Sequence, residues 1–343
     1  MKNRISWIDV SKGVGMILVM FAHAKLPHGL RNYIYSFHIP LFFCISGYLF
    51  NANKYNKFMD FLKVKSKALL ISYMFFSCFN YCFYLFFRNF SNSGSNNLIK
   101  PLVGSVVGIR DTEWTICNGT LWFVLVLYLS EILLYCIVKL SKDKKEIIIA
   151  TLFLFSMVGY SYNTFIGVKL VWNTDIVLVA IVFVGFGYIL KKMDLINRLD
   201  KFSNIIIFII LTLIFETMNT DVDMFKSIYG NYIYFYLAAI SATIGVMIIC
   251  KRINKSKVLE FIGKNTFVYL AVHQYIIYSF LNRIKKVLIP SPSDFEKIIL
   301  AIFYVMFTII ILYIPIKLTN KYCPIIVGKS KERNTNLEIF NSQ

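Results

Sequence analysis

Long apolar stretches recur along almost the whole of this 343-residue sequence, and they constrain the fold more than any other feature. A membrane-spanning helix needs about 20 mostly apolar residues, within a range of about 17–25. Hydrophobic residues make up 57% of the chain and charged residues 16%, which is too apolar for an ordinary soluble domain. Ten candidate segments follow, with approximate bounds: 5–24, 34–51, 66–87, 119–139, 146–162, 172–190, 202–218, 231–250, 264–282 and 298–317.

The segments predict an all-α fold, a polytopic membrane helix bundle of about ten transmembrane helices. Lys and Arg together number 37 against 18 acidic residues, and cytoplasmic loops carry such an excess. Every second connection is rich in Lys, whereas the others are poorer and include Arg31 and Arg110. Both termini are therefore predicted in the cytoplasm of a multi-pass cell-membrane protein. Topology accounts for the basic excess, so no nucleic-acid partner is expected.

Two units are expected along the chain. Residues 1–328 would form the membrane domain, and residues 329–343 a polar, disordered cytoplasmic tail. No pair of the seven cysteines has a CxxC spacing, so neither a disulfide nor a metal site is predicted. A phosphate-binding GxxxxGK[ST] loop is also missing from the sequence, which argues against an ATP-driven pump.

The first segment carries three ionisable residues on one face. Ionisable groups in a bilayer are costly, and they mark function or pair with each other inside the bundle. Lys12 and His23 lie three helical turns plus about 20° apart, which is about 16 Å along the axis. Asp9 lies one turn before Lys12, where the two side chains can pair. The stripe either orients helix packing or serves chemistry, with His23 as a general base.

Polar residues also interrupt later segments. His38 and Pro40 interrupt the second segment, and His38 is expected near the outer face at the level of His23. Asp175 and Glu216 are expected at the outer water interface. Further candidates for lining a cavity are Trp122, Glu131, Asn265 and His273. Asn265 could also cap a helix. His273 by itself suggests only a hydrogen-bonded packing residue.

Two blocks near the start are specific enough for comparison with known families. The first is Trp7-Ile8-Asp9-Val10-Ser11-Lys12-Gly13 with His23, and the second is Phe37-His38-Ile39-Pro40-Leu41-Phe42-Phe43 followed by Ser46-Gly47-Tyr48. Together they resemble the acyltransferase 3 family of integral membrane acyltransferases, and the first is closest to its fucose 4-O-acetylase-like branch. Two later blocks are also similar: Leu121-Trp122-Phe123, and Gly263-Lys264-Asn265-Thr266 with His273.

The resemblance implies an O-acetyltransferase in a bacterial plasma membrane. Such an enzyme moves an acetyl or other acyl group from cytoplasmic acetyl-CoA, or another acyl-CoA, to a hydroxyl of a cell-surface polysaccharide or its lipid-linked precursor. His23 matches the family's histidine and would be the general base. Lys12 stands at the family's arginine position and would bind CoA, although it lacks the bidentate guanidinium fork. Asp9 would hold Lys12, and His38 would bind the acceptor or orient His23.

Other functions stay open at this point. A polysaccharide flippase, exporter or polymerase without acyl transfer would also be polytopic and basic, but more charge at mid-membrane or an internal repeat would be expected. A non-catalytic scaffold would tolerate the loss of both His23 and His38. The oligomeric state is open as well.

Overall fold

The structure, a computed structural model, describes residues 5–55, 57–87, 98–110 and 113–329. The described residues form helices and connecting turns, with no named strand. The helices are α1 Ser6–His23, α2 His28–Tyr35, α3 His38–Leu49, α4 Phe58–Lys65, α5 Ile71–Phe87, α6 Ile99–Val107, α7 Trp122–Leu140, α8 Lys145–Phe165, α9 Thr174–Lys192, α10 Leu195–Arg198, α11 Phe202–Thr217, α12 Tyr232–Ile253, α13 Lys257–Lys264, α14 Thr266–Val272, α15 Ser279–Leu288 and α16 Asp294–Tyr322. Residues 330–343 of the predicted tail lie outside the described residues.

All ten predicted segments are helical, and the all-α prediction is confirmed at the level of a helical membrane protein. Among the described residues, six helices are long and apolar enough to cross a membrane. They are Phe58–Phe87, Trp122–Leu140, Lys145–Phe165, Val171–Lys192, Tyr232–Ile253 and Asp294–Tyr322, and Phe202–Thr217 is a shorter apolar helix. The first, second, seventh and ninth predicted segments are not among the six, and the first, second and ninth carry His23, His38 and His273.

Two of these segments are broken in specific ways. The second divides into α2 and α3 at Ser36 and Phe37, and Pro40 lies in the first turn of α3, where a missing N–H costs no helical hydrogen bond. The ninth contains a π-helical turn, His273–Tyr278, between α14 and α15. Side chains from other helices satisfy the carbonyls just before this turn: Asn80 Nδ2 donates to Ala271 O at 3.1 Å, and Thr120 Oγ1 donates to Leu270 O at 2.8 Å.

Close helix crossings depend on glycine. A Cβ at Gly47 in α3 would overlap the carbonyl oxygen of Val184, and one at Gly187 in α9 would overlap that of Cys44. Likewise, a Cβ at Gly13 in α1 would overlap the carbonyl of Leu259 in α13. Small residues let helix backbones approach closely where apolar burial alone gives little driving force. At Gly13 it is therefore α13 that occupies the space beside α1.

The expectation that Asp175 lies at the water interface is wrong. Its carboxylate is fully buried and accepts hydrogen bonds from both terminal nitrogens of Arg110. The bond from Nη1 to Oδ1 is 2.9 Å long. Arg110 also donates to Ser227, so the pair connects the chain after α6, the start of α9 and the loop before α12. The partners lie 65 residues apart, and no local spacing could reveal them. Glu216 is partly exposed and accepts a hydrogen bond from Asn32.

The α3–α9 crossing gives a stability prediction. Gly47→Val should lower the free energy of unfolding by about 1–3 kcal/mol or more, because the added atoms must displace the α9 backbone. The matched control is Gly29→Ala, since a Cβ at Gly29 meets no atom within 4 Å. Thermal denaturation of the detergent-solubilised protein measures both. Equal melting temperatures for the two variants would contradict the crossing.

Candidate functional site

The larger cavity of the bundle, here the histidine cavity, has a volume of about 680 Å³. Three of the chain's four histidines converge on it: His23 and His38 line it, and His273 contacts His23. Its other polar lining residues are Arg31, Tyr35, Arg110, Thr115, Thr120, Lys169, Asp223, Lys226 and Gln274. Trp122, at the start of α7, lines the cavity with its ring 5.9 Å from that of Phe225.

A second cavity, here the lysine cavity, has a volume of about 310 Å³. Its charged lining residues are Lys12, Lys65 and Glu131, and Ser46 supplies a hydroxyl. Its other walls are mostly apolar. Glu131 is 3% exposed, and its Oε1 accepts hydrogen bonds from Lys65 Nζ at 2.8 Å and Ser46 Oγ at 2.6 Å. The other oxygen, Oε2, is buried and has no hydrogen-bond partner among the described residues.

The two cavities meet at a ring of shared side chains. Val19, Ile39, Phe123 and Leu270 line both of them, and we call this ring the collar. The helix α1 runs past both cavities, with Lys12 at one and His23 at the other, about 16 Å apart along the axis. A ligand that entered at Lys12 could therefore present one end to His23 through the collar.

His23 is hydrogen-bonded to His273. His23 Nδ1 lies 2.8 Å from His273 Nε2, and the two rings are inclined by only 6°. His273 is fully buried at the first position of the π-helical turn. A second bond joins the same two elements, because the hydroxyl of Tyr278 donates to Met20 O at 2.9 Å. The π turn thus positions His273 against the end of α1, and such turns often occur at functional sites.

The carbonyl partners of His273 determine where the protons lie. His273 Nδ1 is 2.6 Å from Tyr269 O and 3.2 Å from Leu270 O. Carbonyl oxygens only accept, so Nδ1 carries the proton and Nε2 of the neutral ring is an acceptor. His23 Nδ1 then donates to His273 Nε2, and the lone pair of His23 remains on Nε2. A histidine that lines a cavity with this tautomer fixed is equipped to act as a general base.

His38 has a similar arrangement on the neighbouring helix. Its Nδ1 donates to Ile34 O at 2.7 Å, so its Nε2 is also an acceptor. The ring of Tyr35 lies beside both histidines, with centroids 5.0 Å from His38 and 6.4 Å from His23. The guanidinium of Arg31 stacks on Tyr35 at 4.3 Å. The helices α2 and α3 therefore contribute three side chains, Arg31, Tyr35 and His38, to one wall.

Two other predicted site residues lie away from this wall. Asp9 is buried where α1 crosses α13, and its pairing with Lys12 stays a prediction. Asn265 precedes α14, but its side chain makes no capping hydrogen bond there, so the expected cap is wrong. Its Oδ1 instead accepts from Asn320 Nδ2 and Lys329 Nζ, both at 2.8 Å, and it is not among the lining residues of either cavity.

Sequence reasoning missed several residues of the two cavities. Lys65 precedes the third predicted segment, in one of the Lys-rich connections, yet it lies within a continuous helix and pairs with Glu131. Arg31 and Arg110 were counted only as outer loop charges, and both line the histidine cavity. A lone carboxyl in an apolar helix, Glu131, was the one available signal, because a buried carboxylate needs a cationic or hydrogen-bonding partner.

Comparison with known proteins gives one match. A profile described as an acyltransferase domain, that of the acyltransferase 3 family, matches residues 5–317. No curated protein and no solved structure matches the chain. The matched range contains α1 to α15, most of α16 and all the lining residues of both cavities. The chain belongs to the acyltransferase 3 family and is a membrane acyltransferase.

Proposed function

We propose that this protein is a membrane O-acetyltransferase that uses acetyl-CoA, or another acyl-CoA, and acylates a hydroxyl of a cell-surface polysaccharide or its lipid-linked precursor. The observation that carries the proposal is the collar, which joins a cavity lined by Lys12 to a cavity lined by His23. We further propose the fucose 4-O-acetylase-like branch, ten spans, and both termini in the cytoplasm of a bacterial plasma membrane.

The lysine cavity suits the donor. CoA is polyanionic at its nucleotide end, so that end would stay at the basic cytoplasmic rim while the thinner pantetheine arm enters the bundle. Lys12 and Lys65 supply positive charge along the way. Lys65 and Ser46 hold the Glu131 carboxylate at the wall of this cavity. The thioester would then lie at the collar, among Val19, Ile39, Phe123 and Leu270.

The histidine cavity suits the acceptor. His23 Nε2 takes the proton of the acceptor hydroxyl as the hydroxyl oxygen attacks the thioester carbonyl carbon. The C–S bond then breaks, the ester is complete, and the proton returns from His23 to the departing thiolate to give CoA. His273 is a positioning residue, since its Nε2 accepts from His23 Nδ1 and keeps the basic nitrogen on the cavity side. His38 and Trp122 would hold the acceptor sugar.

Substitution of the histidines tests the proposed base. His23→Ala should lower kcat for acetyl transfer by about 10²–10⁴-fold, because it removes the proposed general base. The measurement is transfer of radiolabelled acetyl groups by purified protein in nanodiscs, with folding checked by thermal denaturation. His28→Ala is the matched control, since His28 is exposed and pairs with Asp221 outside both cavities. Full activity of a folded His23→Ala protein would overturn the assignment.

The role of His273 has a separate test. His273→Leu removes the acceptor of the His23 Nδ1 proton, so kcat should fall while KM for both substrates stays close to its original value. His273→Gln keeps an oxygen that accepts from His23 and should recover part of the lost kcat. Equal kcat for the Leu and Gln variants would show that the hydrogen bond to His23 is not what matters.

Lys12 is expected to affect the donor and not the acceptor. Lys12→Ala should raise KM for acetyl-CoA by about tenfold, because it removes a charge-assisted hydrogen bond, and Lys12→Arg should keep most of the affinity. Lys139→Ala, an exposed lysine at the end of α7, is the matched control. An unchanged KM for acetyl-CoA in Lys12→Ala would remove Lys12 from the donor site.

A further inference from the structure

Cationic side chains are concentrated in the wall of the histidine cavity. Arg31, Arg110, Lys169 and Lys226 all line it, and Asp223 is the one carboxylate among its lining residues in the described part of the chain. Excess cytoplasmic charge does not account for this cluster, because in the proposed topology these four residues belong to the outer connections, which are poorer in Lys and Arg. The cluster therefore calls for a separate explanation.

The ion contacts within this wall leave net positive charge. Arg110 is committed to the buried carboxylate of Asp175. Asp223 is shared by Arg31 at 3.7 Å and Lys226 at 3.8 Å, and both contacts are longer than a normal hydrogen bond. Lys169 is exposed at the same cavity. Among the described lining residues, Asp223 is thus the one carboxylate beside three cationic side chains, those of Arg31, Lys226 and Lys169. All three line the cavity, where an anionic group of a ligand could bind them.

Arg31 brings this charge close to the proposed base. Its guanidinium lies 4.3 Å from the centre of the Tyr35 ring, and that ring borders both His38 and His23. One aromatic ring therefore separates the guanidinium from the two basic imidazoles. A sugar whose hydroxyl approached His23 could place a charged substituent, on itself or on the next sugar, at Arg31.

We propose that the acceptor is an anionic glycan, with an ionised carboxylate or phosphate bound by Arg31, Lys226 and Lys169 while its hydroxyl faces His23. This inference rests on the proposed function and specifies the acceptor class of the same site. Arg31 offers the planar fork that fits either oxyanion, and the exposed lysines add charge that steers the chain into the cavity.

The experiment measures binding of three tetrasaccharide probes to purified protein in nanodiscs of zwitterionic lipid. One probe contains glucuronate, the second is its carboxyl-reduced neutral form, and the third carries a 6-phosphate on the neutral form. At least one anionic probe should bind about tenfold or more tightly than the neutral probe. Its Kd should rise as salt is added, because salt screens exposed charges. Tighter binding of the glucuronate probe would identify a carboxylate as the recognised group, and tighter binding of the phosphate probe would identify a phosphate.

Variants connect the effect to the cavity wall. Lys226→Gln changes a side chain that is 61% exposed and so carries little risk of misfolding, and Arg31→Gln changes the residue nearest the histidines. Each should weaken binding of the preferred anionic probe several-fold and leave the neutral probe unaffected. Lys286→Gln, an exposed residue of α15 outside the cavity lining, is the control and should change neither.

The outcomes separate this inference from the proposed function. If neither anionic probe binds more tightly than the neutral one, or if Arg31→Gln and Lys226→Gln behave like Lys286→Gln, the anionic acceptor is overturned. Acetyl-CoA turnover by the same preparation is scored independently. Turnover of acetyl-CoA without any preference for an anion would leave the acyltransferase proposal standing, whereas absence of turnover would count against that proposal itself.

Discussion

Polar groups buried inside an apolar bundle must be hydrogen-bonded or paired, and this constraint organises the protein. An unpaired buried polar group costs several kcal/mol in a membrane, so a partner from elsewhere in the chain is strongly stabilising. Arg110 meets Asp175, Lys65 meets Glu131, and His23 meets His273. Each pair joins helices that are distant in sequence. The first pair connects the chain after α6 to the start of α9, the second lines the lysine cavity, and the third lies at the histidine cavity.

The passage between the two cavities lies at the boundary between two apolar clusters. One cluster is centred on α7 and α9, and the other on α1, α14 and α16. Phe42 and Leu270 pack against both clusters, and Leu270 also belongs to the collar. Gly47, Gly187, Gly13 and Gly263 let the helix backbones around this boundary approach closely. The cavities thus lie where the two apolar clusters meet.

The sequence predicted the helices well because apolar length is a local property. All ten segments are helical, and the first segment places Lys12 and His23 on one helix, as their spacing required. Long-range pairing was harder to predict. Asp175 was expected in water because its buried partner, Arg110, lies 65 residues away in a polar connection. His273 looked like a packing residue, since nothing near it in the sequence indicates that the π-helical turn directs it toward His23.

The irregular segments carry the proposed chemistry. Four predicted spans are not among the six long apolar helices of the described residues, and three of these four carry His23, His38 and His273. Asp9 and Lys12 interrupt the first of these spans, a break before Pro40 interrupts the second, and a π-helical turn that begins at His273 interrupts the ninth. Departures from the simplest membrane-helix pattern were therefore a better guide to the site than the pattern itself.

The central claim is that donor and acceptor meet at the collar. A cryo-electron microscopy structure with a non-hydrolysable acetyl-CoA analogue tests it most directly. The account predicts the nucleotide end on the Lys12 side and the acetyl group among Val19, Ile39, Phe123 and Leu270, facing Nε2 of His23. An analogue bound with its acetyl group away from the collar, or entirely outside the two cavities, would contradict the account.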